Sequence, residues 1–300
     1  MSVYFQIFKY IYCMESSAIT TIFLLAALGI IMLGLGLSLS VEDFKRVVKY
    51  PKVILVGLFC QMFILPIVCF MIVNGFNLAP DLAVGLMLLA ASPGGSTANL
   101  FSHLANGDVA LNISLTAFNS VLSLLMLPLI VNFSLDYFME TGQVIPMQFK
   151  KIIEVFAIVL VPVTIGMFIK SWKPIVSDKL DKPVKILSAI FLVIIIIAAI
   201  LKEKSHIVEF FQQIGIPALL FNVLSLVVGY YLPRMLKIGK KQAIAIGMEI
   251  GIHNGTMAIF IATTVLNNSV MSIPPAIYSL IMFLTASMFG YLVNKSVVKN

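Results

Sequence analysis

The sequence predicts an all-α membrane protein whose chain crosses the bilayer about nine times. Of its 300 residues, 60% are hydrophobic and only 11% are charged, whereas about a quarter of the residues of a soluble domain are charged. Apolar runs long enough to span a bilayer recur from one end of the chain to the other. Most Lys and Arg residues fall in the short segments between these runs, which is typical of polytopic membrane proteins.

Nine apolar runs account for the predicted spans. They lie at residues 17–39, 53–74, 80–104, 108–132, 149–170, 184–201, 213–233, 241–266 and 273–294. The first run is longer than the core of a signal peptide and lacks a clear cleavage site, so we interpret it as a retained span. The third and eighth runs are interrupted by polar residues and glycines.

The distribution of basic residues predicts the orientation. With nine spans, one side of the membrane holds 15 of the 20 basic residues. These are Lys45, Arg46, Lys49, Lys52, Lys170, Lys173, Lys179, Lys182, Lys185, Arg234, Lys237, Lys240, Lys241, Lys295 and Lys299. By the positive-inside rule this side is cytoplasmic. We therefore expect a multi-pass protein of the cell's inner or plasma membrane, with its N-terminus outside and its C-terminus in the cytoplasm.

The same pattern argues against other functional classes. The formal net charge of +7 is explained by the inter-span loops, so nucleic acid is not an expected partner. No phosphate-binding loop is present, and Cys13, Cys60 and Cys69 stand at no metal-binding spacing. No nucleophile–His–acid arrangement can be assembled, so the chain is not expected to be an enzyme. No segment indicates an obligatory protein partner.

The first break reads "PGGSTAN" and begins at Pro93 in the third span. Proline cannot donate a backbone hydrogen bond, and Gly94 and Gly95 tolerate unusual dihedral angles. Unwinding there frees backbone groups, each of which costs several kcal/mol in hydrocarbon, so the break must face protein, water or a ligand. A single break of this kind is more often a plain proline kink.

A second break, "EIGIHNGT", begins at Glu249 in the eighth span and favours a functional site. Spans one to four match spans six to nine by position but run in opposite directions, and span five has no partner. This is the arrangement of inverted-repeat transporters, in which unwound helices meet near the middle of the bilayer. We therefore predict an inverted repeat with two discontinuous helices that cross.

Glu249 lies well inside its span, where a carboxylate is costly unless it is paired, hydrated or bound to an ion. Sodium is a hard cation that prefers oxygen ligands, so this carboxylate is a candidate ligand. The alternative is a protonated or hydrogen-bonded structural Glu. Asn112 and Thr116 share one helix face, and the tight turn after the third span brings them near Asn99. Ordinary hydrogen bonding between helices suits the polar residues that extend this stripe, Asn119 and Ser123.

Three segments resemble the bile acid:sodium symporter family: "GLGLSLSVEDF" at 34–44, "SPGGSTANLFSHLANGDVALNISLT" at 92–116 and "GMEIGIHNGTMA" at 247–258. The resemblance implies a panel domain and a core domain, with two discontinuous helices crossing in the core beside two sodium sites. Bacterial relatives often have ten spans, and this chain resembles a nine-span form that lacks the first. The whole chain, 1–300, is then a single transporter unit.

The resemblance also implies where each domain and ligand lies. The core comprises spans at about 53–132 and 213–266 with part of the flanking helices, and the panel comprises spans at about 17–39, 149–201 and 273–294. One Na⁺ site uses Asn99, Asn112, Thr116 and Glu249 with the backbone carbonyl of Ala98. The second uses Gln61, Glu249, the carbonyls of Ile250 and Ile252, and His253.

Three positions depart from the family pattern. Ala98 and Asn112 stand where Ser is usual, and His253 stands where Gln is usual. A protonated His would repel Na⁺, so we expect uptake to depend unusually strongly on pH. The first site is therefore the better supported of the two.

Together these features predict a sodium-coupled symporter that imports an organic anion, bile acid-like or a small carboxylate, by alternating access. The substrate carboxylate is expected near the half-helix N-termini, at Ser96, Thr97, Asn254, Gly255 and Thr256. Two alternatives remain open: a proton-coupled organic-anion carrier, and a non-transporting membrane receptor or scaffold with the same fold.

Overall fold

The computed structural model describes residues 22–95, 97–139, 149–202 and 207–295, and within these ranges the chain forms helices and turns but no strand. The first half contains α1 (Ile22–Ser38), α2 (Val41–Lys49), α3 (Pro51–Gly75), α4 (Pro80–Ala91), α5 (Ala98–Leu104) and α6 (Val109–Phe138). Then follow α7 (Phe149–Trp172), α8 (Pro174–Lys202), α9 (Ile207–Met235), α10 (Lys240–Gly251), α11 (Gly255–Val265) and α12 (Ile273–Lys295).

These helices confirm an all-α polytopic membrane protein. Within the described ranges, five of them (α3, α6, α7, α9 and α12) are long and apolar enough to cross a membrane. The third predicted span is two helices, α4 and α5, and the eighth is α10 and α11. The first break occurs at Pro93, Gly94 and Gly95, and the second at His253 and Asn254, between Gly251 and Gly255. Residues 17–21 of the first predicted span lie outside the described part of the chain.

Two stretches of helix were not predicted. The first is α2, where the backbone N–H and the hydroxyl of Ser40 donate to Asp43 at 2.8 and 2.7 Å and fix the first turn. Acidic residues in its first turn and basic residues in its last turn suit the helix dipole. The second is the beginning of α8, which starts at Pro174 rather than at residue 184. Proline is favoured at the first position of a helix. The helix therefore begins at Pro174 and includes the charged residues before residue 184.

Contacts between the turns agree with the predicted alternation of spans. Hydrogen bonds join segments assigned to the same side, namely Ser38 Oγ to Asp181 (3.1 Å), Lys52 Nζ to the Leu236 carbonyl (2.8 Å) and Asn106 Nδ2 to Asn294 (3.1 Å). At the opposite end Asn268 Nδ2 donates to Asp81 at 2.8 Å. These bonds show which helix ends and turns lie together. That the basic side is cytoplasmic stays a prediction.

Matching turns support the internal repeat. Four described residues other than glycine have positive φ angles, Asn77, Asn106, Lys237 and Asn267, and 160 residues separate Asn77 from Lys237 while 161 separate Asn106 from Asn267. Each lies just after a helix, which is where a left-handed residue ends helices in soluble proteins as well. The same turn therefore follows corresponding helices in both halves.

Helices α1, α7 and α8 pack closely through glycines. A Cβ on Gly36 would lie 2.2 Å from the carbonyl oxygen of Val163, and one on Gly166 would lie 2.6 Å from the carbonyl oxygen of Leu33. The Phe23 ring meets the Phe191 ring edge-on at 5.5 Å. Small residues that let backbones approach are typical of helix contacts in membranes, so these three helices form one group.

Replacing Gly36 by Ala is expected to separate α1 from α7 and to destabilise the fold by about 2 kcal/mol, the usual cost of overpacking. Thermal unfolding of the purified protein would measure the loss. Gly29→Ala in the same helix is the matched control, because a Cβ there meets nothing within 4 Å. Equal stability of the two variants would contradict the close packing.

Helix α12 packs against the helices that surround the breaks. The Tyr278 hydroxyl donates to the carbonyl of Gly251 at the end of α10 (2.9 Å), and the Phe283 ring stacks on Phe101 of α5 at 5.7 Å. A Cβ on Gly255 would lie against the Ser279 hydroxyl. The last helix therefore buries one face against both discontinuous segments.

Candidate functional site

The two unwound segments cross each other and share backbone hydrogen bonds. The Gly95 N–H donates to the Ile252 carbonyl at 2.7 Å, and the Asn254 N–H donates to the Pro93 carbonyl at 2.9 Å, on either side of an antiparallel bridge between Gly94 and His253. Interchanging the two halves of the chain would place each of these bonds where the other one lies, as expected for a two-fold inverted repeat. Each break therefore supplies hydrogen-bond partners for backbone groups that the other break leaves unsatisfied.

Gly94 lies directly against the carboxylate of Glu249. A Cβ at this position would be 2.2 Å from Oε1 and 2.4 Å from Cδ of Glu249. No side chain can be accommodated there without moving the carboxylate, so the glycine is required by a close approach. The first break therefore brings its backbone to the acidic group of the second.

Glu249 is fully buried in α10 and has neutral hydrogen-bond donors. Thr116 Oγ1 donates to Oε2 at 2.6 Å, and Asn119 Nδ2 donates to Oε1 at 2.9 Å. Two neutral donors do not balance the charge of an ionised carboxylate. A bound cation or a proton is needed to do so.

Asn119 was not predicted to belong to the site. The sequence analysis accounted for the polar residues after Thr116 by ordinary hydrogen bonding between helices. Asn119 follows Thr116 by three residues, which places both side chains on the same helix face. That spacing was the available signal, and the tertiary structure shows that the face meets Glu249.

Replacing Asn119 by Ala is expected to weaken cation binding at Glu249 about tenfold, because the carboxylate loses a donor that holds its orientation. Thermal stabilisation of the purified protein over a range of Na⁺ concentrations would test this. Ser123→Ala, one turn further along α6, serves as the control because its hydroxyl already donates to the Ser120 carbonyl. A normal sodium dependence in the Asn119 variant would refute the role.

Buried amide oxygens without partners lie on α5 and α6. In the described part of the chain Asn99 Oδ1 and Asn112 Oδ1 accept no hydrogen bond, although Asn112 Nδ2 donates to the Ala245 carbonyl at 2.7 Å. Buried acceptors are normally satisfied, and exceptions call for an explanation such as an ion. Ala98, beside Asn99, is fully buried. The predicted residues of the first site therefore include two acceptors free to bind a cation.

A second pair of predicted residues meets at the carbonyl of Ser92. Gln61 Nε2 donates to it at 2.9 Å, and His253 Nδ1 lies 3.3 Å from it. Among the residues that the structure describes, Gln61 Oε1 and His253 Nε2 have no partner. Ile250 is fully buried, and the Ile252 carbonyl accepts the Gly95 N–H, which leaves that oxygen one lone pair.

A π-helical turn at Cys60–Ile64 carries Gln61. Its backbone is wider than that of an α-helix, and the Leu65 N–H donates to the Cys60 carbonyl. Pro66 follows and has no N–H to continue the regular pattern. Such turns are frequent at functional sites, and the sequence analysis did not predict this one.

The His253 ring is held by two aromatic rings. Phe221 stacks on it with centroids 5.6 Å apart, and Tyr278 meets it edge-on at 5.4 Å. Asn222 Nδ2 donates to the Gly251 carbonyl at 2.8 Å and supports the same end of α10. This arrangement fixes the ring, while the pH dependence expected from His253 stays a prediction.

The predicted substrate residues are only partly available. Ser96 lies outside the described residues, and Thr97 is half-buried just before α5. Asn254 Oδ1 accepts the Met257 N–H at 3.0 Å, and the Gly255 N–H donates to the His253 carbonyl at 3.0 Å. The Asn254 side-chain oxygen and the Gly255 N–H are therefore already hydrogen-bonded within the chain. Thr256, beside them, is buried, with 3% of its surface exposed.

The types of the converging groups indicate which kind of ion the site could hold. Within the searched residues no group of three or more His, Cys, Asp or Glu side chains could hold a metal ion. The converging groups are chiefly neutral oxygens around one carboxylate. This set fits a hard monovalent cation such as Na⁺.

Comparison with known proteins identifies the family of this chain. The sodium bile acid symporter family model matches residues 25–210. The chain belongs to this family. The family resemblance drawn from the sequence is thereby confirmed, and its segments 34–44 and 92–116 lie within the matched residues.

Relatives of this sodium bile acid symporter family member come from bacteria, plants and animals. A Bacillus subtilis protein described as an uncharacterized sodium-dependent transporter, YocS, is 29% identical over 283 residues, covering 94% of this chain and 85% of the relative. The human ileal sodium/bile acid cotransporter is 25% identical over 277 residues, covering 91% and 79%. The rice protein described as probable sodium/metabolite cotransporter BASS2, chloroplastic, is 27% identical over 262 residues, covering 87% and 61%.

Proposed function

We propose that this protein is a sodium-coupled symporter that imports an organic anion by alternating access. The observation that supports it most directly is the contact of Gly94 in one unwound segment with the buried Glu249 carboxylate at the other. A site built across two broken helices can respond to an ion by changing how the helices fit together. The names of the relatives, which are sodium-dependent transporters and cotransporters, support the same conclusion.

Two sodium positions are proposed beside Glu249. The first is formed by Asn99, Asn112, Thr116 and Glu249 with the Ala98 carbonyl, and the unpartnered amide oxygens support it. The second is formed by Gln61, Glu249, the carbonyls of Ile250 and Ile252, and His253. The nitrogen of His253 is a poorer ligand for Na⁺ than an oxygen, so the first position is expected to bind more tightly.

The coupling of Na⁺ binding to substrate binding follows from the helices that carry the ligands. Glu249 is on α10, Asn99 on α5 and Asn112 on α6, so an ion between them fixes the crossing in one arrangement. A substrate that binds the ordered crossing then loses less conformational entropy. Sodium binding thus favours substrate binding even without direct contact between the two.

The substrate is proposed to be an organic carboxylate held by hydroxyl groups beside the crossing. Thr97 and Thr256 are the candidates, together with Ser96 and with the parts of Asn254 and Gly255 that are not hydrogen-bonded within the chain. The names of the human and rice relatives, a bile acid and a metabolite cotransporter, support an organic substrate.

The moving parts are proposed to be the glycine-packed group of α1, α7 and α8 as the panel and the remaining long and broken helices as the core. The sequence analysis placed the last span, 273–294, in the panel. The contacts of Tyr278 with Gly251 and of Phe283 with Phe101 instead support a place for α12 in the core.

Uptake into proteoliposomes tests the proposal. With an inward Na⁺ gradient, labelled taurocholate or a small 2-oxo acid is expected to accumulate at least tenfold over the level seen with choline. A proton gradient alone is expected to drive no accumulation. Accumulation with the proton gradient would support the proton-coupled carrier instead, and Na⁺ binding without accumulation of any tested anion would support a receptor.

A further inference from the structure

All but one of the buried serines in the described part of the chain donate a hydrogen bond within the protein. Five in the membrane helices donate to the carbonyl four residues earlier: Ser114, Ser120, Ser134, Ser225 and Ser279. This local bond is the usual way for a helix to satisfy a serine hydroxyl. Ser102 in α5 is fully buried, yet its Oγ has no hydrogen-bond partner among the described residues.

The surroundings of Ser102 show where its hydroxyl lies. A Cβ on Gly107 would be 2.6 Å from Ser102 Oγ and 2.9 Å from Cγ2 of Ile244. The Gly107 N–H donates to the Ser102 carbonyl at 2.8 Å. The turn between α5 and α6 therefore covers the hydroxyl on one side, and α10 approaches it on another.

The same three helices carry the unpartnered oxygens of the first proposed site. Asn99 precedes Ser102 by three residues and shares its helix face. Asn112 is on α6 and donates to the Ala245 carbonyl, the residue next to Ile244. Thus three buried side-chain oxygens without partners, on Asn99, Ser102 and Asn112, belong to one junction of α5, α6 and α10.

We propose that the Ser102 hydroxyl oxygen is a ligand of the first sodium site. The inference rests on the proposed sodium-coupled function. Ala98, four residues earlier on the same face, has no hydroxyl. Ser102 supplies a hydroxyl oxygen one helical turn further along α5. Amide and hydroxyl oxygens are hard ligands suited to Na⁺, and this hydroxyl gives up no bond within the protein when it binds an ion.

Sodium-dependent thermal stabilisation of the purified full-length protein tests the proposal, with choline chloride keeping the ionic strength constant. Ser102→Ala is expected to raise the Na⁺ concentration for half-maximal stabilisation about tenfold. Its Tm in choline is expected to be equal to or above that of the wild type, since a buried hydroxyl without a partner does not stabilise the fold. Ser102→Thr keeps the hydroxyl and is expected to retain most of the affinity.

Controls separate the ligand role from a structural one. Ser134→Ala removes a buried hydroxyl that donates to Ile130 at 2.6 Å, and it is expected to leave the Na⁺ dependence unchanged. Ser102→Cys replaces oxygen by sulfur at similar size and is expected to lose affinity as Ser102→Ala does, so the test does not depend on one variant folding. Adding Ala98→Ser to Ser102→Ala is expected to recover part of the affinity.

Different results would overturn the ligand role of Ser102 and the proposed sodium-coupled function. Wild-type Na⁺ dependence in both Ser102→Ala and Ser102→Cys, together with its loss in Glu249→Gln, would overturn the ligand role of Ser102 and leave sodium coupling intact. A lower Tm in choline with unchanged Na⁺ dependence would show a structural hydroxyl and overturn it as well. No stabilisation of the wild type by Na⁺ would overturn the proposed function itself.

Discussion

Replacing Glu249 by Gln is expected to abolish sodium-driven uptake. Gln keeps the size of the side chain and can still accept the Thr116 hydrogen bond, but it removes the negative charge of the carboxylate. Leaving one member of a buried ionic contact without its partner typically costs about 3–5 kcal/mol, so Na⁺ affinity should fall more than about a hundredfold. Uptake into proteoliposomes and Na⁺-dependent thermal stabilisation would both measure the loss.

Glu154→Gln is the matched control for this experiment. Glu154 is an exposed acidic residue on α7, so removing its charge should change neither uptake nor the response to Na⁺. The Glu249 variant is expected to unfold in choline at or above the wild-type temperature, because it no longer buries a carboxylate. Sodium-driven accumulation that survives the Glu249 substitution would refute the proposed mechanism.

Replacing Gly94 by Ala is expected to have the second-largest effect. The added Cβ would lie 2.2 Å from Oε1 of Glu249, a distance that real contacts do not reach. The carboxylate or the crossing must shift, which we expect to destabilise the fold by about 3 kcal/mol and to reduce uptake at least tenfold. Thermal unfolding and uptake assays on the same preparations would report both effects.

Gly75→Ala provides the comparison for Gly94→Ala. Gly75 ends α3, and a Cβ there meets no atom within 4 Å. Alanine in a helix is more favourable than glycine by about 0.5–1 kcal/mol, so this variant should be as stable as the wild type or slightly more so. Normal uptake by the Gly94 variant would show that the two segments do not meet as closely as the structure indicates.

Several features of the site could be predicted from the sequence. Glu249 stood out because an acidic residue within an apolar span is costly, and Pro93 with Gly94 marked the break because both disfavour a helix. Asn112 and Thr116 followed from their spacing. Asn119 and Ser102 did not, because a polar residue on a helix face is equally compatible with an ordinary hydrogen bond, and only the neighbouring helix decides which it makes.

The sequence by itself determined the class of protein, the approximate limits of its spans and the two breaks, because the cost of placing polar groups in hydrocarbon depends on local composition and length. Only the tertiary structure decided that α12 packs against the broken helices and that Asn119 meets Glu249. Lipid tails are as apolar as leucine, so hydrophobicity does not distinguish a helix face that contacts protein from one that contacts lipid. Partner choice among helices is therefore set by close packing and buried polar contacts, which appear only once the helices are assembled.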